Sequence, residues 1–194
     1  MSYTWLANSL KRASIPALYF GAITLLLAQT GGSQYTKDGM MILPKDYREW
    51  VFVTSGLGMT YGPAGTADAT GNPRFDNVFV NPDAYKSFLR TGTWPDKTIL
   101  ILEVRGSDSK VSINNGGRIQ TNTLAIEAHV KDTARFPGGW AFFGFQGSEL
   151  GKLFPITEPC YSCHEKNGAA DTTFVQFYPT LLEIAKHKGT LKKE

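Results

Sequence analysis

The middle of the chain carries three segments whose hydrophobic pattern is typical of β-strands. Residues 98–104 (TILILEV) are too apolar for an exposed edge and predict a buried strand. Residues 123–130 alternate apolar and polar positions, and residues 140–145 (WAFFGF) form a short aromatic run. The polar residues 106–117 separate the first two segments and predict a turn.

Two segments that flank these strands have the spacing of short helices. Residues 81–83 (NPD) form a helix start, and Gly92 ends the segment that follows. Residues 178–188 place leucine and alanine side chains at helical spacing. By contrast, residues 56–73 are rich in Gly, Ala and Thr with two prolines, and predict a long loop.

Strands in the middle with helices at either end predict an α+β domain, built mainly on an antiparallel β-sheet with flanking helices. No internal repeat and no low-complexity linker divides residues 40–190, so we expect one domain over that range.

The N-terminal segment, residues 1–30, has the pattern of a signal peptide or an N-terminal anchor. Lys11 and Arg12 precede residues 15–28, which carry no charge. This run of about 14 apolar residues is short for a spanning helix, which needs roughly 20. It also lacks the polar face that a buried amphipathic helix would show. The pattern predicts export, to the periplasm or an equivalent compartment, with membrane contact only if the segment is retained.

The composition is that of a folded protein, with 42% hydrophobic and 12% aromatic residues in 194 positions. The 20 basic residues include Lys11 and Arg12, which leaves 18 against 17 acidic residues outside the N-terminal segment. Such a balance lacks the electrostatic signature of a nucleic-acid-binding protein. We therefore expect no nucleic-acid partner.

The two cysteines and the histidine of residues 160–164 (CYSCH) are the strongest chemical signal in the chain. Cys160 and Cys163, followed directly by His164, have the spacing at which c-type haem is attached. Each thiol adds to one vinyl group of the porphyrin, and the histidine is placed as proximal iron ligand. The motif predicts one covalent haem c per chain in a C-terminal attachment segment.

Three other uses of the two cysteines are less favoured. A thioredoxin-type redox pair would sit early in a βαβ unit, whereas this pair lies near the C-terminus. A structural zinc site would need His129 and His187 as further ligands, beside a Cys and a His that are adjacent in sequence. A disulfide within the motif is sterically poor.

A sixth iron ligand has few sources in the sequence. After the N-terminal segment, the other Met and His residues are Met40, Met41, Met59, His129 and His187. None lies in a recognisable ligand motif. The alternation of Glu127, His129 and Lys131 predicts an outward-facing His129, and His187 lies in a basic, solvated helix. We therefore expect a five-coordinate iron.

The distal side of such an iron has apolar candidates, although each one singly is better explained as core. They are Phe75, Phe79, Phe136, Phe142, Phe143 and Phe145.

Several segments, in the same order along the chain, resemble the cytochrome P-460 family. They are residues 43–51 (LPKDYREWV), 79–85 (FVNPDAY), 91–96 (TGTWPD), 127–132, 135–136, 140–142, 160–164 and 174–179 (FVQFYP). The resemblance implies a periplasmic mono-haem protein with a mainly antiparallel β fold, commonly dimeric. Its members include hydroxylamine-oxidising enzymes, with an additional lysine–haem bond, and cytochromes c′-β, which lack that bond and bind nitric oxide or carbon monoxide.

The lysine that distinguishes these two types directly precedes a glutamate in the strand after residues 95–96. Here the glutamate is Glu103 and the residue before it is Leu102, while Lys97 occupies a turn-like position five residues earlier. The resemblance therefore favours a cytochrome that binds nitric oxide or a similar small ligand. Oxidation of hydroxylamine and simple electron transfer to an unidentified redox partner are the alternatives.

Overall fold

The computed structural model describes residues 33–60 and 71–193. The predicted signal or anchor, residues 1–30, lies outside these ranges, as does most of the predicted loop at residues 56–73. Among the described residues, no helix combines the length and hydrophobicity that crossing a membrane requires.

Within the described ranges, eight strands form one antiparallel sheet in the order β1-β2-β8-β7-β6-β5-β4-β3. The strands are β1 (Gln34–Tyr35), β2 (Met41–Ile42), β3 (Val51–Leu57), β4 (Phe75–Val80), β5 (Ile99–Asp108), β6 (Ile119–Lys131), β7 (Trp140–Gly144) and β8 (Leu150–Leu153).

Short helices accompany the sheet. They are α1 (Pro82–Thr91), α2 (Pro159–Asn167) and α3 (Pro179–Lys188), with single 3₁₀ turns at Tyr47–Glu49 and Val175–Phe177. Each α-helix begins with proline, whose fixed φ suits the first helical position. Gly92 and Gly189 end α1 and α3 in the left-handed conformation that glycine adopts most easily.

The structure confirms the predicted fold class, an α+β domain with a mainly antiparallel sheet. The three predicted strands correspond to β5, β6 and β7. Strands β5 and β6 both extend further than predicted. The connection between them therefore covers residues 109–118, whereas the sequence predicted a turn at residues 106–117. The other five strands, β1, β2, β3, β4 and β8, were not predicted.

Hydrophobic clusters cover both faces of the sheet. On one face, α1 and α3 pack against β4, β5 and β7. On the opposite face, Met41 and Tyr47 pack against alternate residues of β5, β6 and β7, among them Phe143. Since successive strand residues point to opposite faces, neighbouring residues of one strand enter different cores.

Glu103 lies buried in the second core and is bound by three partners. Tyr47 donates its hydroxyl hydrogen to the carboxylate, Arg105 Nε lies 2.5 Å from Oε1, and Arg48 lies 2.5 Å from Oε2. Burial alone would raise the pKa of Glu103, but the hydrogen bonds from Arg105 and Tyr47 outweigh it and hold this pKa below its usual value. Glu103 therefore stays ionised on the far side of the sheet.

Candidate cofactor site

Helix α2 brings the two cysteines and the histidine of the attachment motif to one cavity. Spacings of three and four residues place Cys160, Cys163 and His164 on one side of a helix. All three side chains line a cavity of about 380 Å³ between α2 and the sheet. The motif is therefore assembled as a single cluster.

The cavity wall is mostly apolar and comes from five strands and the C-terminal segment. Its other lining residues are Thr54, Gly56, Met59, Asp76, Val78, Leu100, Leu102, Glu127, Ala128, His129, Phe142, Pro159, Phe174, Phe177 and Tyr178. An apolar wall of this kind suits a flat hydrophobic cofactor.

His164 is held in one orientation by a hydrogen bond and by ring packing. Its Nδ1 donates to the backbone carbonyl of Thr172 at 2.9 Å, because a carbonyl oxygen can only accept. Its ring lies 4.3 Å from that of Phe174 and 4.7 Å from that of Phe142, between centroids. Burial lowers the pKa of His164, which favours the neutral ring. Nε2 therefore carries a lone pair for a metal.

His129 is buried inside the same cavity, so the prediction of an outward-facing side chain is wrong. It is 8% exposed, and its ring stacks on Phe142 at 4.1 Å and packs against Trp140 at 4.3 Å. Burial, and then the nearby His164, lower the pKa of His129. Its Nε2 has no hydrogen-bond partner among the described residues. Glu127 and His129 do share one face of β6, as the alternation predicted, but this face borders the cavity and not the solvent.

The structure separates the possible sixth ligands. Met59 and His129 line the cavity, whereas Met41 is fully buried in the core of the opposite face. The rings of His129 and His164 lie only 4.7 Å apart, edge to face. Rings at this separation are in direct contact, which leaves no room for a metal ion between them. His129 is therefore placed beside the expected proximal ligand.

The remaining two possible sixth ligands lie away from the cavity wall. Met40 borders a separate shallow cavity with Asp38 and Arg135, and His187 lies in the last turn of α3.

Two carboxylates in the cavity wall, Asp76 and Glu127, were missed by sequence reasoning. Burial raises the pKa of both, and the charge of Asp76 raises that of Glu127 further. Burial and then the charge of Glu127 also raise the pKa of the Cys160 thiol, so Glu127 lies near the attachment motif. The polar alternation along β6 was the one signal that could have identified Glu127.

The expected phenylalanine lining is mostly wrong. Of the six phenylalanines proposed, Phe142 lies in the cavity wall, joined there by Phe174 and Phe177. Phe79, Phe136, Phe143 and Phe145 belong to the core on the other face of the sheet. Phe75 points to the same side of β4 as Phe79, because the two are four residues apart and side chains alternate every two residues along a strand.

Leu102 lies in the cavity wall, and Lys97 does not. Lys97 lies in the turn before β5, as its sequence position predicted, and has a positive φ of 64° there. Its Nζ lies 2.5 Å from the Asp132 carboxylate and 3.7 Å from that of Asp96. The wall position next to Glu103 is thus occupied by an aliphatic side chain.

The donor set of this cavity fits a haem. Cys160 and Cys163 supply two thiols, and His164 supplies a neutral imidazole whose Nδ1 is already bonded. Gly56 adds room, because a Cβ there would collide with the side chain of Met59. Among the described residues, no group of three or more His, Cys, Asp or Glu side chains forms a metal site by itself.

Comparison with known proteins agrees with the resemblance seen in the sequence. The family model described as Cytochrome P460 matches residues 44–175, more than half of the chain and including the whole attachment motif. A comparison with curated proteins finds no match.

Proposed function

The chain belongs to the cytochrome P460 family, and we propose that it is a mono-haem c-type cytochrome that oxidises a small nitrogenous substrate of the hydroxylamine class. The family implies a haem cofactor. The observation that carries the proposal is the presence of Asp76 and Glu127 in the cavity that also holds the attachment motif. An apolar wall alone would favour uncharged diatomic ligands.

The residues that would hold the haem are Cys160, Cys163 and His164. The two thiols would form thioether bonds with the vinyl groups, and Nε2 of His164 would ligate the iron. When bound, the haem supplies an iron that exchanges electrons and has an open position for a small ligand. The neighbouring rings of Phe142 and Phe174 keep the His164 ring in place and exclude water from its face.

The carboxylates would remove the protons that oxidation releases. Conversion of hydroxylamine to nitric oxide yields three protons and three electrons, and the electrons pass to an acceptor outside the chain. A general base works best when its pKa lies near the working pH. Burial shifts the pKa of both carboxylates upwards, and the charge of Asp76 raises that of Glu127 further, so we assign Glu127 as the proton acceptor.

A second candidate function, capture of nitric oxide or a similar diatomic molecule, is favoured by Leu102. This aliphatic side chain lines the cavity. By the family resemblance it stands at the position where the hydroxylamine-oxidising members carry their cross-linking lysine. Without that bond, the haem would be an ordinary c-type group.

The proposal also includes an export signal at residues 1–30, a periplasmic location, a redox partner and a homodimer.

Steady-state oxidation of hydroxylamine with an artificial electron acceptor tests the proposal. The haem-loaded protein should turn over, and Glu127→Gln should lower kcat at least tenfold because it removes the proton acceptor without changing the shape of the side chain. Glu183→Gln is the matched control, since Glu183 is 70% exposed on α3. Equal rates in Glu127→Gln and the control would contradict the role of Glu127.

A further inference from the structure

The residue that fixes His164 is Thr172, and it acts through its backbone. The Thr172 carbonyl accepts the hydrogen bond from His164 Nδ1 at 2.9 Å. Thr172 lies eight residues beyond the histidine, in the short segment between α2 and the 3₁₀ turn. The orientation of the ring therefore depends on what holds this segment.

The segment is a tight turn in an unfavourable conformation. Ala170 and Thr173 form a β-bridge, and the two residues between them have positive φ angles, 49° at Asp171 and 60° at Thr172. Two positive φ angles in succession are typical of a type I′ turn, which favours Asn and Gly. A β-branched threonine is poorly suited to this conformation. Interactions elsewhere must hold the turn.

The Thr173 hydroxyl supplies some of these interactions, by accepting from Trp94 Nε1 and donating to the Ala170 carbonyl, and the carboxylate of Asp171 supplies two more. Oδ2 lies 2.5 Å from Nζ of Lys131, and Oδ1 accepts a hydrogen bond from Nε1 of Trp140 at 3.2 Å. Lys131 is only 17% exposed and also donates to the Trp94 carbonyl at 2.9 Å. Asp171 is thus bound to the ends of β6 and β7, two strands that also line the cavity.

Gly168 has no side chain and so allows the same turn to pack closely against the end of α2. A Cβ on Gly168 would stand 2.6 Å from the His164 carbonyl oxygen, 2.7 Å from the Thr172 carbonyl carbon and 2.8 Å from the Thr173 nitrogen. These are backbone atoms and cannot move aside as a side chain could. The turn and the helix that carries His164 are therefore packed as one unit.

We propose that Asp171, held by Lys131 and Trp140, is a positioning residue for the iron ligand His164. It fixes the Thr172 carbonyl in place, and this carbonyl orients the imidazole and increases the electron donation of Nε2 to the iron. The inference rests on the proposed ligation of haem by His164. A partner on the other ring nitrogen is a general means by which proteins raise the basicity of a metal-bound histidine.

The test compares haem-loaded Asp171→Ala with wild type, and with Asp38→Ala as a matched control from the exposed turn between β1 and β2. Two quantities are measured, the midpoint reduction potential and the iron–imidazole stretching frequency by resonance Raman spectroscopy. In Asp171→Ala the potential should rise and the stretching frequency should fall, because a weaker donor stabilises ferric iron less. In Asp38→Ala both should equal the wild-type values.

Further variants distinguish a folding defect, an error in the role of Asp171 and an error in the proposed ligation by His164. Lys131→Met and Asp171→Asn should shift both quantities in the same direction by smaller amounts, and they replace Asp171→Ala if that variant does not fold. Wild-type potential and stretching frequency in every folded Asp171 and Lys131 variant would overturn the inference. If instead His164→Ala leaves the iron–imidazole signal unchanged in an otherwise normal haem protein, the proposed ligation itself is wrong.

Discussion

Leu102 and Glu127 lie directly opposite each other on strands β5 and β6, and both side chains line the cavity. Residues opposite each other in an antiparallel pair have Cβ atoms roughly 5 Å apart. An aliphatic residue thus stands beside the carboxylate that we propose as proton acceptor. The cavity wall thus pairs a carboxylate on β6 with an uncharged side chain on β5.

The pH dependence of hydroxylamine oxidation should identify Glu127 as the base. Only the ionised carboxylate accepts a proton, and burial raises the pKa of Glu127 above its ordinary value of 4.5. The rate should therefore fall as the pH drops towards that raised pKa, at a pH higher than an exposed glutamate would give. Kinetic profiles of wild type and Glu127→Gln test this expectation, and an acid limb of unchanged shape in the variant would contradict it.

In Asp76→Asn, the fall of the rate on the acid side of the pH profile (the acid limb) should move to lower pH. The negative charge of Asp76 is the second cause of the raised pKa of Glu127, after burial. Removing that charge should let Glu127 ionise more readily. The measurement is again the pH profile of kcat, with Glu183→Gln as control. A limb that stays in place would show that the two carboxylates do not influence each other.

Single and double replacement of the cysteines should change how the haem is held. In Cys160→Ser and in Cys163→Ser one thioether bond remains possible, so haem should stay attached under denaturing conditions. In the double variant the haem should be extracted into acidic organic solvent, because His164 alone makes no covalent bond to the porphyrin. Intact mass spectrometry and pyridine haemochrome spectra check this. Covalent haem in the double variant would exclude Cys160 and Cys163 as the attachment sites.

Replacement of Glu103 should destabilise the domain without changing the cavity. Glu103 is 2% exposed, and Glu103→Ala removes the acceptor of the buried Tyr47 hydroxyl and the partner of two partly exposed arginines, Arg48 and Arg105. The replacement should cost about 2 kcal/mol of unfolding free energy, because the Tyr47 hydroxyl is left without a partner. Since the pKa of Glu103 is lowered in the folded state, its contribution is present above the ordinary value of 4.5 and is lost as the pH falls through the lowered pKa. Urea denaturation at neutral and acidic pH measures both effects, and an unfolding free energy equal to wild type would contradict them.

Lys97→Met should leave the absorption spectrum of the haem unchanged. The Lys97 ammonium is bound to Asp132 and Asp96 outside the cavity wall, so it is not available for a bond to the porphyrin. The loss of stability should stay within about 1 kcal/mol, as is usual for ion pairs with an exposed partner. A reduced Soret band that lies far to the red in wild type and returns to an ordinary position in Lys97→Met would reverse this conclusion.

Local sequence signals were sufficient to predict the helix and strand that have clear start and stop residues or a continuous apolar run. Helix α1 was predicted because Pro82 starts it and Gly92 ends it, and β5 because its apolar run is continuous. Strand β3 was missed because the register shifts between Phe52 and Thr54, and this irregularity removes a regular alternation.

The cavity could be predicted only in part. The attachment motif is local, and its three side chains were identified from spacing alone. Glu127 and His129 were read as a polar face, but a polar face that borders an internal cavity has the same sequence pattern as one that borders solvent. The prediction that six phenylalanines line the cavity was mostly wrong because an aromatic run does not show which face each ring enters. Phe142 and Phe143 are adjacent in sequence, yet they lie on opposite faces of the sheet.

The most direct test of the account is to mix purified, haem-loaded protein with hydroxylamine and an excess of artificial electron acceptor in the absence of oxygen. Repeated turnover is expected, with many acceptor molecules reduced per haem. A spectral change that saturates at one ligand per haem, without acceptor reduction, would contradict it and support capture of a small ligand instead.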